Sequence, residues 1–348
     1  MPHFTRPIQR SANPLRLGVV GLTHTHVGWP LHSGREGAVS LVGVYEPSKP
    51  LFDRYAKQYD LDPSIHFTDL DEFIDQARPE GLSVMNSIYE HAETVERLAK
   101  YRVPMLIEKP LAVCAAHANR IAAASRAHDC PVLTNYETSW YAGIREAERR
   151  LRKGELGELR RMVFETGHPG PVEIGCPIEF LDWLCDPVLN GGGAITDFGC
   201  YGIICALWLM DGKVPDSVAC TAATTKPDVY PNVDDDATIV LQWADGPVAV
   251  IQPSWAWTHD VKSSHFFGEI ASAHCGKWDE LAIRESNHEP KAVEPSPIKP
   301  PGDDQWRYLA AVARDDAAID PMSSLELNVK CCEILDQARR AAGLAVPG

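Results

Sequence analysis

Short, almost continuously apolar runs alternate with amphipathic stretches through the first 135 residues. The runs Leu15–Gly21, Val39–Tyr45, Gly81–Asn86, Met105–Ile107 and Pro131–Thr134 have the pattern of strands buried on both faces, and Ile65–Thr68 is a shorter sixth. Helical periodicity fills the gaps: a helix opening in Val27–His32, then Leu51–Leu61, Leu70–Gln76, Ala92–Tyr101 and Ala115–Ala127. Strands and helices alternating at this spacing predict right-handed βαβ units, hence a doubly wound parallel sheet over residues 15–135.

Beyond Asn135 the rhythm changes. A helix over Ala142–Arg152 ends at Gly154, and strand-like runs then dominate: Leu159–Thr166, Ser217–Thr224, Ala237–Trp243, Val248–Ser254 and His265–Ile270. Asp245-Gly246 punctuates two of them as a hairpin does. The pattern predicts a second, α+β domain over residues 136–348 with an open, mainly antiparallel sheet. Between its first two strands lies Asn190-Gly-Gly-Gly-Ala-Ile-Thr-Asp-Phe-Gly-Cys-Tyr201, followed by an apolar helix to about Met210. Ser286–Gly302 reads as a proline-rich loop, Asp303–Gly343 as helix interrupted near Pro321, and residues 1–14 as a flexible tail.

Composition narrows the partners. At 348 residues the chain suits two domains, and a formal charge of -15 argues against nucleic acid and anionic membranes, leaving a small-molecule partner. No apolar run approaches the length of a spanning helix and the first residues lack a signal-peptide centre, so a cytoplasmic location is expected. The ten cysteines are scattered without a C-x-x-C pair, and Cys331-Cys332 adjoin on a helix, which predicts buried free thiols.

The run Met105–Ile107 stops at Glu108-Lys109-Pro110. Pro110 bars helix at Lys109, keeps it extended and ends the ladder. Ligands of open parallel sheets sit in the crevice beyond the carboxyl ends of the strands, so Lys109 is expected to face one; the alternative is a surface salt bridge with Glu108. The first strand runs into Gly21-Leu-Thr-His-Thr-His26, where a G-x-G-x-x-G dinucleotide fingerprint would fall. Only its first glycine is present. Thr23 stands where a glycine admits the pyrophosphate, and His26 where one lets helix pack on strand. Glu46 ends the second strand, where an acid can bind a ribose 2′-hydroxyl or simply occupy a solvated turn. Its charge would repel a 2′-phosphate, so NAD is expected over NADP, with Lys49 acting in the opposite sense.

Taken in order, Glu108-Lys109-Pro110, the Gly191-Gly-Gly193 loop and Asp197-x-Gly199-x-Tyr201 resemble the Gfo/Idh/MocA family of NAD(P)-dependent oxidoreductases over nearly the whole chain. His91, in Asn86-Ser-Ile-Tyr-Glu-His91, matches a histidine this family carries ahead of its E-K-P. The resemblance implies an N-terminal Rossmann domain, a C-terminal domain whose open sheet often makes the interface of a dimer or tetramer, and hydride chemistry on a sugar, cyclitol or polyol. It makes Lys109, Asp197 and Tyr201 the catalytic set and puts Glu46 on the adenosine ribose. Gly21, Thr23, Asn86, His91, Glu108 and Lys109 complete the expected cofactor site, joined by His24 and His26, whose imidazoles are expected to donate to the pyrophosphate or reach the substrate. Two departures are the G-x-T-x-x-H fingerprint and a tyrosine at 201, where the family often carries histidine.

The residue types suit alcohol oxidation, which needs a proton acceptor and a cation that stabilises the developing alkoxide. Lys109 supplies the charge and, by lowering the Tyr201 pKa, makes the phenol a base. Asp197, at i to Tyr201 at i+4, orients Lys109 or the substrate hydroxyl, unless it only caps the following helix. His24 and His26 lack a third ligand of characteristic spacing, so no metal is expected. Asn135, Trp140, His168 and Asp182 are candidates for sugar binding. Trp255 and Trp257 alternate as core or interface residues, and Asp234-Asp-Asp236 reads as a solvated turn. A dehydrogenase is one function that fits; a glycoside-cleaving enzyme that retains its NAD and a silent NAD-binding sensor are the others.

Overall fold

The computed structural model describes residues 12–348, so most of the expected tail, residues 1–11, lies outside the described residues. The first domain is built from β1 (Leu15–Val20), α1 (Gly28–Arg35), β2 (Val39–Tyr45), α2 (Lys49–Tyr59), β3 (His66–Phe67), α3 (Leu70–Ala77), β4 (Gly81–Val84), α4 (His91–Leu98), β5 (Met105–Glu108), α5 (Ala115–His128) and β6 (Val132–Asn135). Its six strands are all parallel in the order β3-β2-β1-β4-β5-β6. The order reverses between β1 and β4, which opens a crevice at their carboxyl ends. Leu17, Val19, Leu82, Val84, Met105 and Ile107 are fully buried, as their unbroken apolar runs require.

The second domain follows with α6 (Ala142–Arg152), β7 (Leu159–Gly167), α7 (Ile178–Leu184), α8 (Ala194–Asp197), α9 (Gly199–Leu209), β8 (Ser217–Ala223), β9 (Asp236–Gln242), β10 (Val248–Ser254), β11 (Val261–Gly268), β12 (Ala271–Cys275), β13 (Leu281–Glu285) and β14 (Lys291–Ala292). Its eight strands run β14-β13-β12-β11-β7-β10-β9-β8. The sheet is mainly antiparallel, but β7 and β10 pair in parallel, Met162 beside Ala249 and Phe164 beside Ile251. The strand expected at His265–Ile270 starts earlier, at Val261, and a new strand takes over at Ala271.

The last two helices, α10 (Gln305–Ala313) and α11 (Leu325–Ala341), tie the halves together. Trp306 and Leu309 of α10 return to the first domain and join Leu15, Leu17, Leu106 and Leu133 in one apolar cluster. In α11, Asp336 accepts a hydrogen bond from the Ala115 amide at the start of α5, 3.0 Å away. The buried Arg339 reaches Asp336 at 2.7 Å and the Thr196 hydroxyl at 2.9 Å.

The loop that sets α8 is held by residues expected to be solvated. Asp234 and Asp235 are buried, which overturns the turn expected at 234–236. The Asp234 carboxylate accepts from the amides of Gly193 and Ile195, each at 2.7 Å, and its carbonyl accepts from Ala194. A Cβ at residue 193 would meet that carbonyl at 1.8 Å, so only glycine fits there.

Asp234→Ala leaves two buried amides unpaired and should destabilise the fold by about 2 to 4 kcal/mol, with a smaller loss in Asp234→Asn. Urea midpoints at neutral pH measure both. A change below about 0.5 kcal/mol in the alanine variant would show that the loop does not depend on this carboxylate.

Candidate active site

The buried strand β5 carries Lys109 to the carboxyl edge of the first sheet, where it meets α8 of the second domain. Lys109 is 4% exposed, and its Nζ donates to the main-chain oxygen of Asp197 at 2.9 Å and to Asp197 Oδ1. Asp197 Oδ2 accepts from Trp255 Nε1 at 3.0 Å. Burial pushes the lysine pKa down, but the Asp197 carboxylate outweighs it and holds the ammonium above its ordinary value. Burial likewise raises Asp197, and Lys109 outweighs it in turn, so both partners are ionised. The alternatives of a surface bridge to Glu108 and of a simple helix cap are thereby replaced. Trp255 belongs to the site as the group that fixes Asp197, and its side chain is fully buried.

Tyr201, one turn along α9, completes the expected set. Lys109 Nζ and Lys262 Nζ each lie 5.2 Å from its ring centroid. The expectation that Lys109 lowers its pKa fails: burial first, then the Glu137 charge, pushes the Tyr201 hydroxyl well above its ordinary value. The lysine's charge is already matched by Asp197, so Tyr201 is a phenol here.

These groups line a cleft of about 1070 Å³ between the two domains, together with His24, His26, Trp140 and His168. Lys262 pairs with Glu137 on the cleft wall, and although burial raises the Glu137 pKa, Lys262 holds it low. Neither residue carries a motif that would have marked it in the sequence. His168 accepts from the Gly170 amide through Nδ1 at 2.9 Å, and burial lowers its pKa, so the neutral ring presents Nε2–H as a donor.

Three expected residues play other parts. Asn135 is buried behind the cleft, where its Nδ2 donates to Glu108 Oε1 at 2.8 Å and its Oδ1 accepts from Trp140 Nε1 at 3.1 Å. Asp182 is exposed on the outer side of α7, which turns Trp183 inward instead. His91 is fully buried, with Nδ1 3.0 Å from the Leu111 carbonyl and a pKa lowered by burial to about 4, so it supports the turn after Lys109.

The crevice at the switch point fits a dinucleotide. Gly21 has φ +81°, and a Cβ there would meet the Asn86 amide at 2.8 Å. Glu46 follows β2 directly, with Oε2 accepting from Leu22 at 3.0 Å and Oε1 from Ser48 at 2.9 Å, which aims the carboxylate at the loop. Thr23 Oγ1 and Asn86 Oδ1 are buried beside Gly21 without a hydrogen-bond partner among the described residues. The Trp183 indole donates to the Thr23 carbonyl at 3.2 Å, so the second domain covers this loop. The fold also supplies the third group that spacing did not: one ligand atom each of His24, His26 and Glu108 lie within 4.8 Å of one another. His26 Nδ1 already bonds Glu108 Oε2 at 2.9 Å, and His24 Nδ1 accepts from the His26 amide at 3.1 Å, so a cation would have to displace the first of these bonds.

Residues 15–136 match the model of an oxidoreductase family with an NAD-binding Rossmann fold, and residues 144–274 match the GFO/IDH/MocA C-terminal domain. A myo-inositol dehydrogenase of Streptomyces leeuwenhoekii is 26% identical over 164 residues, which is 46% of this chain and 46% of that protein. The chain thus matches about half the length of that relative. A D-xylose 1-dehydrogenase of Haloarcula marismortui, named for NADP(+), is 23% identical over 70% of this chain and 67% of its own length. An inositol dehydrogenase homolog from Azotobacter vinelandii, solved with NAD+, superposes with a TM-score of 0.80 at 18% identity, covering 96% of this chain and 97% of that one, a likeness of fold. With both domain models matched in order over most of its length, the chain belongs to the GFO/IDH/MocA family of oxidoreductases and carries that family's NAD-binding Rossmann domain.

Proposed function

We propose that the protein is an NAD-dependent dehydrogenase or reductase that moves a hydride between the nicotinamide and a secondary alcohol or ketone carbon of a sugar, cyclitol or polyol. The buried Lys109–Asp197 pair at the floor of the cleft carries this reading, because it places a permanent cation where an alkoxide would form. Bound NAD supplies the hydride acceptor or donor. Gly21 lets the loop approach the dinucleotide, Glu46 accepts from the adenosine ribose, and Lys109 donates to the reacting oxygen. Asp197 fixes Lys109, Trp255 fixes Asp197, and the Tyr201 phenol adds a neutral donor. His168, Glu137 and Lys262 offer hydrogen bonds to further hydroxyls, and Trp140 offers a flat apolar face.

A glycoside-cleaving enzyme that retains its NAD is the second reading, supported by a clasp over the dinucleotide loop. Glu179 of α7 pairs with Arg54 and accepts from the Tyr55 hydroxyl at 2.8 Å, both on α2, beside the Trp183 bond to Thr23. A panel of polyols, aldoses and glycosides separates the two: net NADH supports the dehydrogenase, and cleavage without net NADH supports the second. NAD binding with neither outcome would favour a silent sensor. A cytoplasmic homo-oligomer joined through the outer face of the second sheet completes the proposal. That face leaves Val163, Val240 and Val250 partly exposed and Phe267 exposed, and among the described residues no helix is long and apolar enough to cross a membrane.

Glu46 should make NAD bind more tightly than NADP, since a fixed carboxylate opposes a 2′-phosphate. Burial raises the Glu46 pKa, so it takes up a proton at higher pH than a solvated glutamate; the preference should shrink as pH falls toward the carboxylate range. Fluorescence titrations of both cofactors across pH, repeated in Glu46→Ala, measure this, and tighter NADP binding that the substitution leaves unchanged would refute the assignment.

Lys109→Ala should lower hydride transfer by about 10²- to 10³-fold, while Tyr201→Phe, losing a neutral donor, should cost about tenfold. Single-turnover rates with any substrate found in the panel provide the comparison. In Trp255→Phe the Asp197 carboxylate loses a donor, its pKa rises, and the acid limb of kcat/KM should move to higher pH. Near wild-type rates in Lys109→Ala, with NAD affinity intact, would remove Lys109 from the chemistry.

A further inference from the structure

We propose that the His26 imidazole, held by Glu108, accepts and returns the substrate proton in this cleft. This rests on the oxidoreductase reading and assigns the proton-transfer role that a phenolic Tyr201 leaves open.

The geometry is that of an oriented base. His26 Nδ1 lies 2.9 Å from Glu108 Oε2, and Glu108 Oε1 is fixed by Asn135 Nδ2 at 2.8 Å. Asn135 is itself braced by the Trp140 indole and by Gln305, 2.9 Å away. Burial pushes the Glu108 pKa up, but His26 first and then His24 and Asn135 outweigh it and hold it at about 2. An ionised carboxylate only accepts, so the proton of the neutral imidazole sits on Nδ1 and the lone pair on Nε2. The ring is stacked on Trp29, centroids 4.1 Å apart at 18°, which sets its plane. Its side chain is 19% exposed and lines the cleft with Lys109, Glu137 and Trp140.

The other groups facing the cleft are committed. Lys109 is ionised against Asp197, whose two carboxylate oxygens accept from Lys109 and Trp255. Glu137 is paired with Lys262. Both His24 and His168 accept through Nδ1, from the amides of His26 and Gly170, so each presents Nε2–H. Burial also lowers the His24 pKa well below its ordinary value. His24 and Glu108 bond His26 directly, Glu137 interacts with it electrostatically, and Lys109 lines the same cleft. Of the three cleft histidines named, His26 is the one whose ring is backed by a carboxylate at Nδ1, which leaves its Nε2 lone pair to the cleft.

The step balances as an alcohol oxidation. The carbinol C–H bond breaks and its electron pair leaves with the hydrogen to NAD+. The O–H bond breaks, its proton passes to His26 Nε2, and the C=O bond forms from the O–H pair. Glu108 stabilises the imidazolium until the proton returns to water; reduction runs the same steps backward.

Two measurements test it. Nitrogen-15 NMR of histidine-labelled protein without substrate should show His26 as the Nδ1–H tautomer, and this bias should weaken in Glu108→Gln. Single-turnover hydride transfer should fall about 10²- to 10⁴-fold in His26→Ala without a comparable loss of NAD affinity, and recover partly with added imidazole. An Nε2–H tautomer, or a His26→Ala enzyme that keeps its rate while the wild type is active, overturns this proposal alone. Wild-type protein that transfers no hydride with any member of the panel overturns the oxidoreductase reading and this proposal together.

Discussion

One buried ion pair joins the two domains at the cleft. Removing two charges from water costs several kcal/mol for each, and their attraction offsets this only when the remaining hydrogen-bonding capacity is met. Lys109 has two acceptors on Asp197, and Asp197 has Trp255 on its second oxygen. What makes this arrangement possible lies some forty residues away in sequence. Asp234 gathers the amides of residues 193–195 and thereby sets α8, while the Asp235 carbonyl accepts from the Trp255 amide at 2.7 Å and so places the indole. Two adjacent buried acids thus position the two groups that make Asp197 a suitable partner for Lys109.

The same pairing decides the character of the cleft. Lys109, Lys262 and Lys277 all line it, yet each is matched by an acid: Asp197, Glu137 and Asp260. A chain with a formal charge of -15 therefore presents local pairs and aromatic faces at its site and no broad basic field. Such a surface suits a neutral ligand rich in hydroxyls better than a strong acid, since an anion would have to compete with carboxylates for every lysine.

The first sheet was legible because strands buried on both faces are written as unbroken apolar runs, and Val39–Tyr45 coincides with β2. The second domain was less so. Ala271–Cys275 and Leu281–Glu285 pair as strands although their residues are too mixed to show a period, and α7 went unread. Lys109, Asp197 and Tyr201 could be found because motifs flank them. Trp255, Glu137 and Lys262 could not, since their roles arise from partners 58 and 125 positions away. Asp234 looks solvated in a sequence because its backbone donors lie about forty residues earlier, at Gly193 and Ile195, and Asp235 because its own lie at Thr225 and Lys226.

The altered glycine fingerprint is the point where sequence and structure bear most directly on one another. Gly21 is kept because Asn86 leaves no room for a Cβ. At residue 26 the constraint is relieved: a 3-10 turn over Thr25–Val27 precedes α1, which begins only at Gly28, so the close helix packing usually required there no longer falls on it. A side chain is thereby admitted at the mouth of the crevice, within 2.9 Å of the glutamate that ends β5. Losing two glycines costs the loop its smooth approach to a pyrophosphate. It also brings an imidazole against a fixed carboxylate in the cleft that Lys109 lines, so the departure from the pattern changes the chemistry the cleft can offer.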